Sequence, residues 1–167
     1  MDFLSAGTTA FQLYIHGQMP SLVSNLKAEG YSGNKAMHPF NPYNYNRPAV
    51  YKDFGFTDFI DKFDFPKNVK RVREYISDEA NVDRIILNMK RIVRRQISHF
   101  YMYNMTIQNH SPYDKDAANF KQPIKIESSK YDAEANRYLN LIKYSDDSLK
   151  QLTSYFENVK SQRSFYF

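Results

Sequence analysis

"SDEANVDRIILNMKRIVRRQISHFYMYNMTIQNHSPY", residues 77–113, holds two different patterns back to back. Val82, Ile85, Ile86, Met89, Ile92, Val93 and Ile97 recur at intervals of three and four, the stripe of an amphipathic helix. Ser77 is a good N-cap, Asp78 and Glu79 favour the positive end of the helix dipole, and Arg94 and Arg95 favour the negative end. "HFYMYNMTIQ" then packs aromatic and β-branched residues into a run too short for a helix, which predicts a buried strand. The strand breaks into Gln108, Asn109, His110, Ser111 and a proline. A helix leading directly into a strand points to an α/β sheet, mostly parallel, with helices on its faces.

The flanking segments continue the alternation. "PSLVSNLKAEGYSG" predicts a short helix with Pro20 in its first turn and Gly30 at its end. "NKAMH" reads as a brief buried strand, and the Asn/Pro-rich residues 39–48 forbid regular structure. "AVYKDFG" suits one or two helical turns ending at Gly55, and "FTDFID" alternates like an edge strand. Residues 114–130 read as loop, and a second long helix is expected over 132–159, with Ala135, Tyr138, Leu139, Ile142, Leu149, Leu152 and Phe156 on its apolar side. The closing "SFYF" reads as the start of a further strand.

At 167 residues the length suits one domain. A net charge of +5 admits an anionic partner but does not select one. Lys90, Arg91, Arg94 and Arg95 fall opposite the apolar stripe, so they read as a solvated helix face and not as a nucleic-acid patch. With no cysteine in the chain, disulfides and thiolate metal sites are excluded. No apolar run approaches the roughly 20 residues that cross a bilayer, and no export signal opens the chain. Glycine-rich phosphate loops, G-x-S-x-G and H-E-x-x-H are all missing.

In parallel sheets ligands bind beyond the carboxyl ends of the strands, which singles out two stretches. After "NKAMH", His38, Tyr45 and Arg47 could converge on one anion, with a planar fork from Arg47, a second donor from His38 and an aromatic wall from Tyr45. The alternative is a solvated surface loop. After "HFYMYNMTIQ", His110 could hold a phosphoryl oxygen, ligate a metal or move a proton; Asn109 and His110 could equally just satisfy loop backbone groups.

The order of "PSLVSNLKAEGY", "MHPFNPYNYNRPAVYKDFGFTDFID", "YISDEA", "FYMYNMTIQNHSPY" and "ANRYLNLIKYSDDSLKQLTSYFENV" resembles the catalytic domain of lipoteichoic acid synthase-like phosphoglycerol transferases, within the sulfatase and alkaline phosphatase superfamily. The resemblance implies an alkaline phosphatase/sulfatase-like sandwich. It implies metal-assisted phosphoryl transfer from a membrane phospholipid headgroup to a glycerophosphate or related cell-envelope polymer, on the extracellular face of the membrane. It assigns His38, Tyr45 and Arg47 to the glycerophosphate and His110 to the reacting phosphoryl group. The family usually carries tryptophan at the position of Tyr45. A divalent metal, manganese or magnesium, is implied too, with its ligands and the nucleophile expected outside residues 1–167, so that this stretch would be an internal, inactive part of the catalytic domain. A non-catalytic module for an anionic headgroup, or part of a sulfatase-type hydrolase, is the alternative.

Overall fold

The computed structural model describes residues 9–127 and 132–159. The "SFYF" strand expectation lies outside them. The chain divides into two compact units, one of Met1–Pro66 with Ile92–Met105 and the other of Lys67–Arg91 with Thr106–Phe167.

The first unit carries a parallel sheet in the order β2-β1-β5, with β1 at Lys35–Met37, β2 at Asp58–Ile60 and β5 at Met102–Asn104. Its helices are α1 (Ala10–Leu13), α2 (Leu22–Ala28) and α3 (Arg47–Asp53). The parallel α/β class expected from the alternating pattern is the one found. Within it the burial is redistributed. β1 is the central strand, with Ala36 and Met37 fully buried, whereas every residue of β5 is only half-buried and the strand stops at Asn104. Ala36 is paired with Phe59 on one side and Tyr103 on the other. Paired residues in a parallel sheet share a face, so the small alanine leaves a gap between two rings. Tyr51 of α3 fills that gap, 4.9 Å from Phe59 and 6.2 Å from Tyr103 in edge-on geometry.

Local signals explain the helix ends. In α2 the N-cap is Ser21, whose hydroxyl oxygen accepts from the Ser24 N–H at 3.0 Å while its O–H donates to Phe54 O at 2.6 Å. Pro20 therefore precedes the cap instead of occupying the first turn. A hydroxyl that can accept a helix N–H outranks a proline as the starting residue, because it satisfies an otherwise unpaired donor.

The second unit contains a hairpin of β3 (Arg71–Val72) and β4 (Tyr75–Ile76), and the long helix α5 (Ala133–Asn158). The helix α4 (Asp78–Arg94) begins in this unit, where Ser77 Oγ accepts from the Ala80 N–H at 3.1 Å. Of the expected stripe Val82, Ile85, Met89 and Ile92 are buried, Ile86 and Ile97 are half-buried and Val93 is exposed, and Lys90, Arg91, Arg94 and Arg95 are exposed.

The extent of α5 matches the expected 132–159, but its buried face does not. Asn140, Leu141 and Ser148 are buried, while Tyr138, Leu139, Ile142 and Leu149 are exposed. Leu141 joins Val72 and Phe120 in a core cluster. Beside it, Asn140 Oδ1 accepts from Ile124 N–H and its Nδ2 donates to Ile124 O, both at 2.9 Å. The amide completes both backbone groups of one residue in an irregular segment, as a neighbouring strand would. Asn136 does the same for the Ile126 N–H at 3.1 Å. The face that turns inward is thus the one that satisfies backbone groups of half-buried Ile124 and Ile126, since unpaired peptide groups away from water are costly.

Candidate functional site

Both stretches singled out above follow a strand of the sheet, and each lies within one unit. In the first unit His38 directly follows β1 and its N–H donates to Ile60 O at 2.9 Å, which prolongs the sheet by one residue. Its ring is 1% exposed, and Nδ1 lies 3.0 Å from Met105 O. A carbonyl can only accept, so Nδ1 carries the proton and the tautomer is set.

Arg47 begins α3 and is 8% exposed. The turn before it is unusual, since Tyr45 (φ 59°) and Asn46 (φ 52°) are consecutive left-handed residues without a glycine. This conformation costs an L-residue about 1–2 kcal/mol, and such strain persists where surrounding contacts require it, often at ligand sites. The strained turn lays the Tyr45 ring against the Arg47 guanidinium, 4.9 Å from the ring centre. Arg47 Nη1 donates to Asn44 O at 3.0 Å. The guanidinium also meets Tyr51, whose hydroxyl is pushed up by burial and by Tyr103, while the charge of Arg47 and a hydrogen bond between the two side chains pull it down. With five donors on a planar fork and a half-exposed tyrosine on its face, Arg47 is suited to an oxyanion. Tyr45 and Arg47 are therefore in direct contact, and His38 is buried in the same unit.

In the second unit His110 is exposed, and residues 105–109 separate it from the end of β5. It is held by a tight turn in which its N–H donates to Ile107 O at 2.9 Å. Its Nδ1 donates to Ser111 O at 2.6 Å and sits 3.4 Å from the Tyr75 hydroxyl. Nε2 is thereby the nitrogen left to exchange a proton. The two amides before it serve another purpose. Gln108, 1% exposed, accepts the Asp78 N–H at 3.0 Å through Oε1 and donates to Asn109 Oδ1 at 3.2 Å. Asn109 Nδ2 donates to Ser145 Oγ at 2.8 Å, and Ser145 Oγ donates to Asp78 Oδ2 at 2.5 Å. This closed circuit ties the turn to the first residue of α4 and to α5.

Neither Asp78 nor Arg73 is marked by the sequence as more than a helix opener and a surface charge. Asp78 is 4% exposed, and Oδ1 has no partner among the described residues. Burial pushes its carboxyl above the ordinary value, against the hydrogen bonds from Ser145 and with Gln108, which lower it. The folded state therefore holds this proton more tightly than the unfolded chain, so stability falls as pH rises from the usual carboxylate range through the raised folded value. Urea midpoints measured across that window should decline for the wild type, and Asp78→Asn should flatten the decline. An unchanged slope would remove Asp78 as its source.

Asp146 and Asp147 lie on the solvated side of α5, where Lys143 Nζ donates to Asp147 at 2.7 and 2.8 Å. Among the described residues no group of three or more His, Asp or Glu side chains could hold a metal ion. No described helix is long and apolar enough to cross a membrane.

Comparison with known proteins agrees with this architecture. The Sulfatase family model matches residues 5–167. A Rhizobium meliloti (strain 1021) protein named for cyclic beta-1,2-glucan modification is 35% identical over 153 residues, which is 90% of this chain and 23% of the relative. The lipoteichoic acid synthase LtaP from Listeria monocytogenes superposes with a TM-score of 0.79 at 23% identity, covering 92% of this chain and 36% of that one. The Streptococcus pyogenes phosphoglycerol transferase GacH, solved in complex with sn-glycerol-1-phosphate, gives 0.56 at 24% identity over 80% of this chain and 35% of its own. An alkaline phosphatase superfamily protein from Vibrio parahaemolyticus gives 0.61 at 20% identity, over 83% and 32% respectively. This chain thus spans about a quarter to a third of the proteins it matches. The fold is that of the alkaline phosphatase superfamily, and the chain belongs to the Sulfatase family.

Proposed function

We propose that the chain forms the substrate-side part of a phosphoglycerol transferase. The observation that carries the reading is the strained Tyr45–Asn46 turn, which holds an aromatic face on the buried Arg47 guanidinium. Arg47 would pair with the non-bridging oxygens of a glycerophosphate, and Tyr45 would cover the glycerol carbons. His38, its tautomer set by Met105, is assigned by the resemblance to the same glycerophosphate. His110 would act on the reacting phosphoryl group through Nε2, taking or returning the proton that moves when the phosphorus–oxygen bond changes hands. The donor would be a membrane phospholipid headgroup met on the extracellular face. The relative named for glucan modification favours a glucan hydroxyl as acceptor over a teichoic acid chain. No group among the described residues could hold the divalent metal implied by the superfamily, so no step is assigned to it.

Calorimetric titration with sn-glycerol-1-phosphate tests the reading. Arg47→Ala should weaken binding at least about tenfold, since charge-assisted hydrogen bonds contribute about 1.5–3 kcal/mol. Arg47→Lys should fall between, because an ammonium keeps the charge but neither the fork nor the flat stack on Tyr45. Equal affinity in all three proteins would eliminate Arg47 as the anion site and the reading with it.

A further inference from the structure

The imidazole of His110 is exposed, and beyond its own neighbour Ser111 the ring meets Tyr75, with centroids 5.8 Å apart. Its placement therefore depends on the backbone that carries it. That backbone is gripped from one side chain. Arg73 Nη2 donates to Gln108 O at 2.9 Å and to His110 O at 2.7 Å, and Nη1 donates to Pro112 O at 2.5 Å. The three acceptors bracket His110, two residues before it, at it, and two after it. Arg73 is 9% exposed, and its guanidinium lies 5.4 Å from the Tyr75 ring centre and 5.6 Å from that of Tyr113. Arg73 itself sits at φ 55° in the turn between β3 and β4, and Asn119 Nδ2 holds its carbonyl at 2.9 Å. A non-glycine residue in that conformation carries a backbone cost that its side-chain contacts must offset.

We infer that Arg73 is the positioning residue for the His110 imidazole: one guanidinium clamps three carbonyls of the 108–112 turn so that Nε2 is presented in a single orientation. The role rests on the reading above only in what His110 then does; the clamp itself is a matter of geometry. Three carbonyls in two directions require a planar fork with donors on both terminal nitrogens, which an ammonium cannot reproduce. Cation–π contacts with Tyr75 and Tyr113 add to the hold on the fork. Tyr75 contributes twice, since its ring faces the guanidinium and its hydroxyl reaches the His110 Nδ1 side.

The test uses the whole chain with ¹⁵N-labelled histidine, its four imidazoles assigned by single substitutions. Arg73→Lys should shift and broaden the His110 ring resonances while leaving those of His38 in place. The same variant should weaken sn-glycerol-1-phosphate binding about tenfold, and Arg73→Lys combined with His110→Ala should bind no more weakly than His110→Ala alone. Asn119→Ala, which loosens the Arg73 turn without touching His110, should move the His110 resonances in the same direction by a smaller amount, and it decides the matter if Arg73→Lys does not fold. Unmoved His110 resonances in the variants, or fully additive losses in the double substitution, would overturn the inference. If His110→Ala binds the phosphate as tightly as wild type, the role given to His110 fails, and the ring resonances still decide whether Arg73 positions it.

Discussion

Asn140→Ala should destabilise the protein by about 2–4 kcal/mol, while Leu149→Ala, a larger loss of apolar surface on the same helix, should change stability by no more than about 0.5 kcal/mol. Asn140 is fully buried and supplies both an acceptor and a donor to Ile124, whose peptide groups would be left without those partners on truncation. Leaving a peptide group unsatisfied out of reach of water costs about 1–3 kcal/mol, and two groups of the half-buried Ile124 are at stake. Nδ2 also donates to Asn136 O at 2.9 Å, so a helix carbonyl loses its second partner at the same time. Leu149 is 57% exposed and has little buried area to lose. Urea denaturation of both variants at one pH checks the ranking. A cost for Asn140→Ala below that of Leu149→Ala would mean that the apolar stripe of α5 is its inward face after all.

That contrast marks where the sequence stops being readable. The helices α4 and α5 are legible because intervals of three and four identify a helix whatever it packs against. Which face of α5 turns inward depends on partners sixteen residues away in chain order, Asn140 with Ile124, which no periodicity can show. For α4 much of the apolar stripe is buried, at Val82, Ile85, Met89 and Ile92, but Val93 is 51% exposed and Asn81 and Asn88 are buried, while Ser77 and the Gln108 amide satisfy its first peptide groups. A polar residue becomes part of a core when the backbone beside it is irregular, and irregular backbone is what sequence patterns describe least well.

The candidate site divides in the same way. His38, Tyr45, Arg47 and His110 could be named as residue types suited to an anion, and the family likeness over nearly the whole chain is confirmed by the Sulfatase match. Two adjacent left-handed residues at Tyr45 and Asn46 were not legible, because tyrosine has no preference for that region and its contact with the Arg47 guanidinium exists only in three dimensions. Arg73 was invisible for a different reason. It is one charged residue in a short hairpin, and its importance lies in three carbonyls 35 to 39 positions further on.

Met37→Ala should cost about 2–5 kcal/mol, and Met102→Ala less than half of that, although both delete the same atoms from neighbouring strands of one sheet. From sequence both runs read as buried strands. The structure tells them apart: β1 is hydrogen-bonded on both sides, to β2 and to β5, and Met37 has no exposed surface. Its carbonyl also accepts from the Met105 N–H at 2.9 Å, which fixes the residue from which the Met105 carbonyl reaches His38 Nδ1. A cavity at Met37 therefore has close-packed neighbours that cannot collapse without disturbing the sheet register, whereas half-buried Met102 lets solvent and side chains fill the space. Because the loop holding Tyr45 and Arg47 starts one residue after Met37, loosened pairing should also reduce sn-glycerol-1-phosphate affinity in Met37→Ala. Denaturation midpoints and the same titration read both effects. Equal destabilisation by the two substitutions would place Met102 as deep in the sheet as Met37.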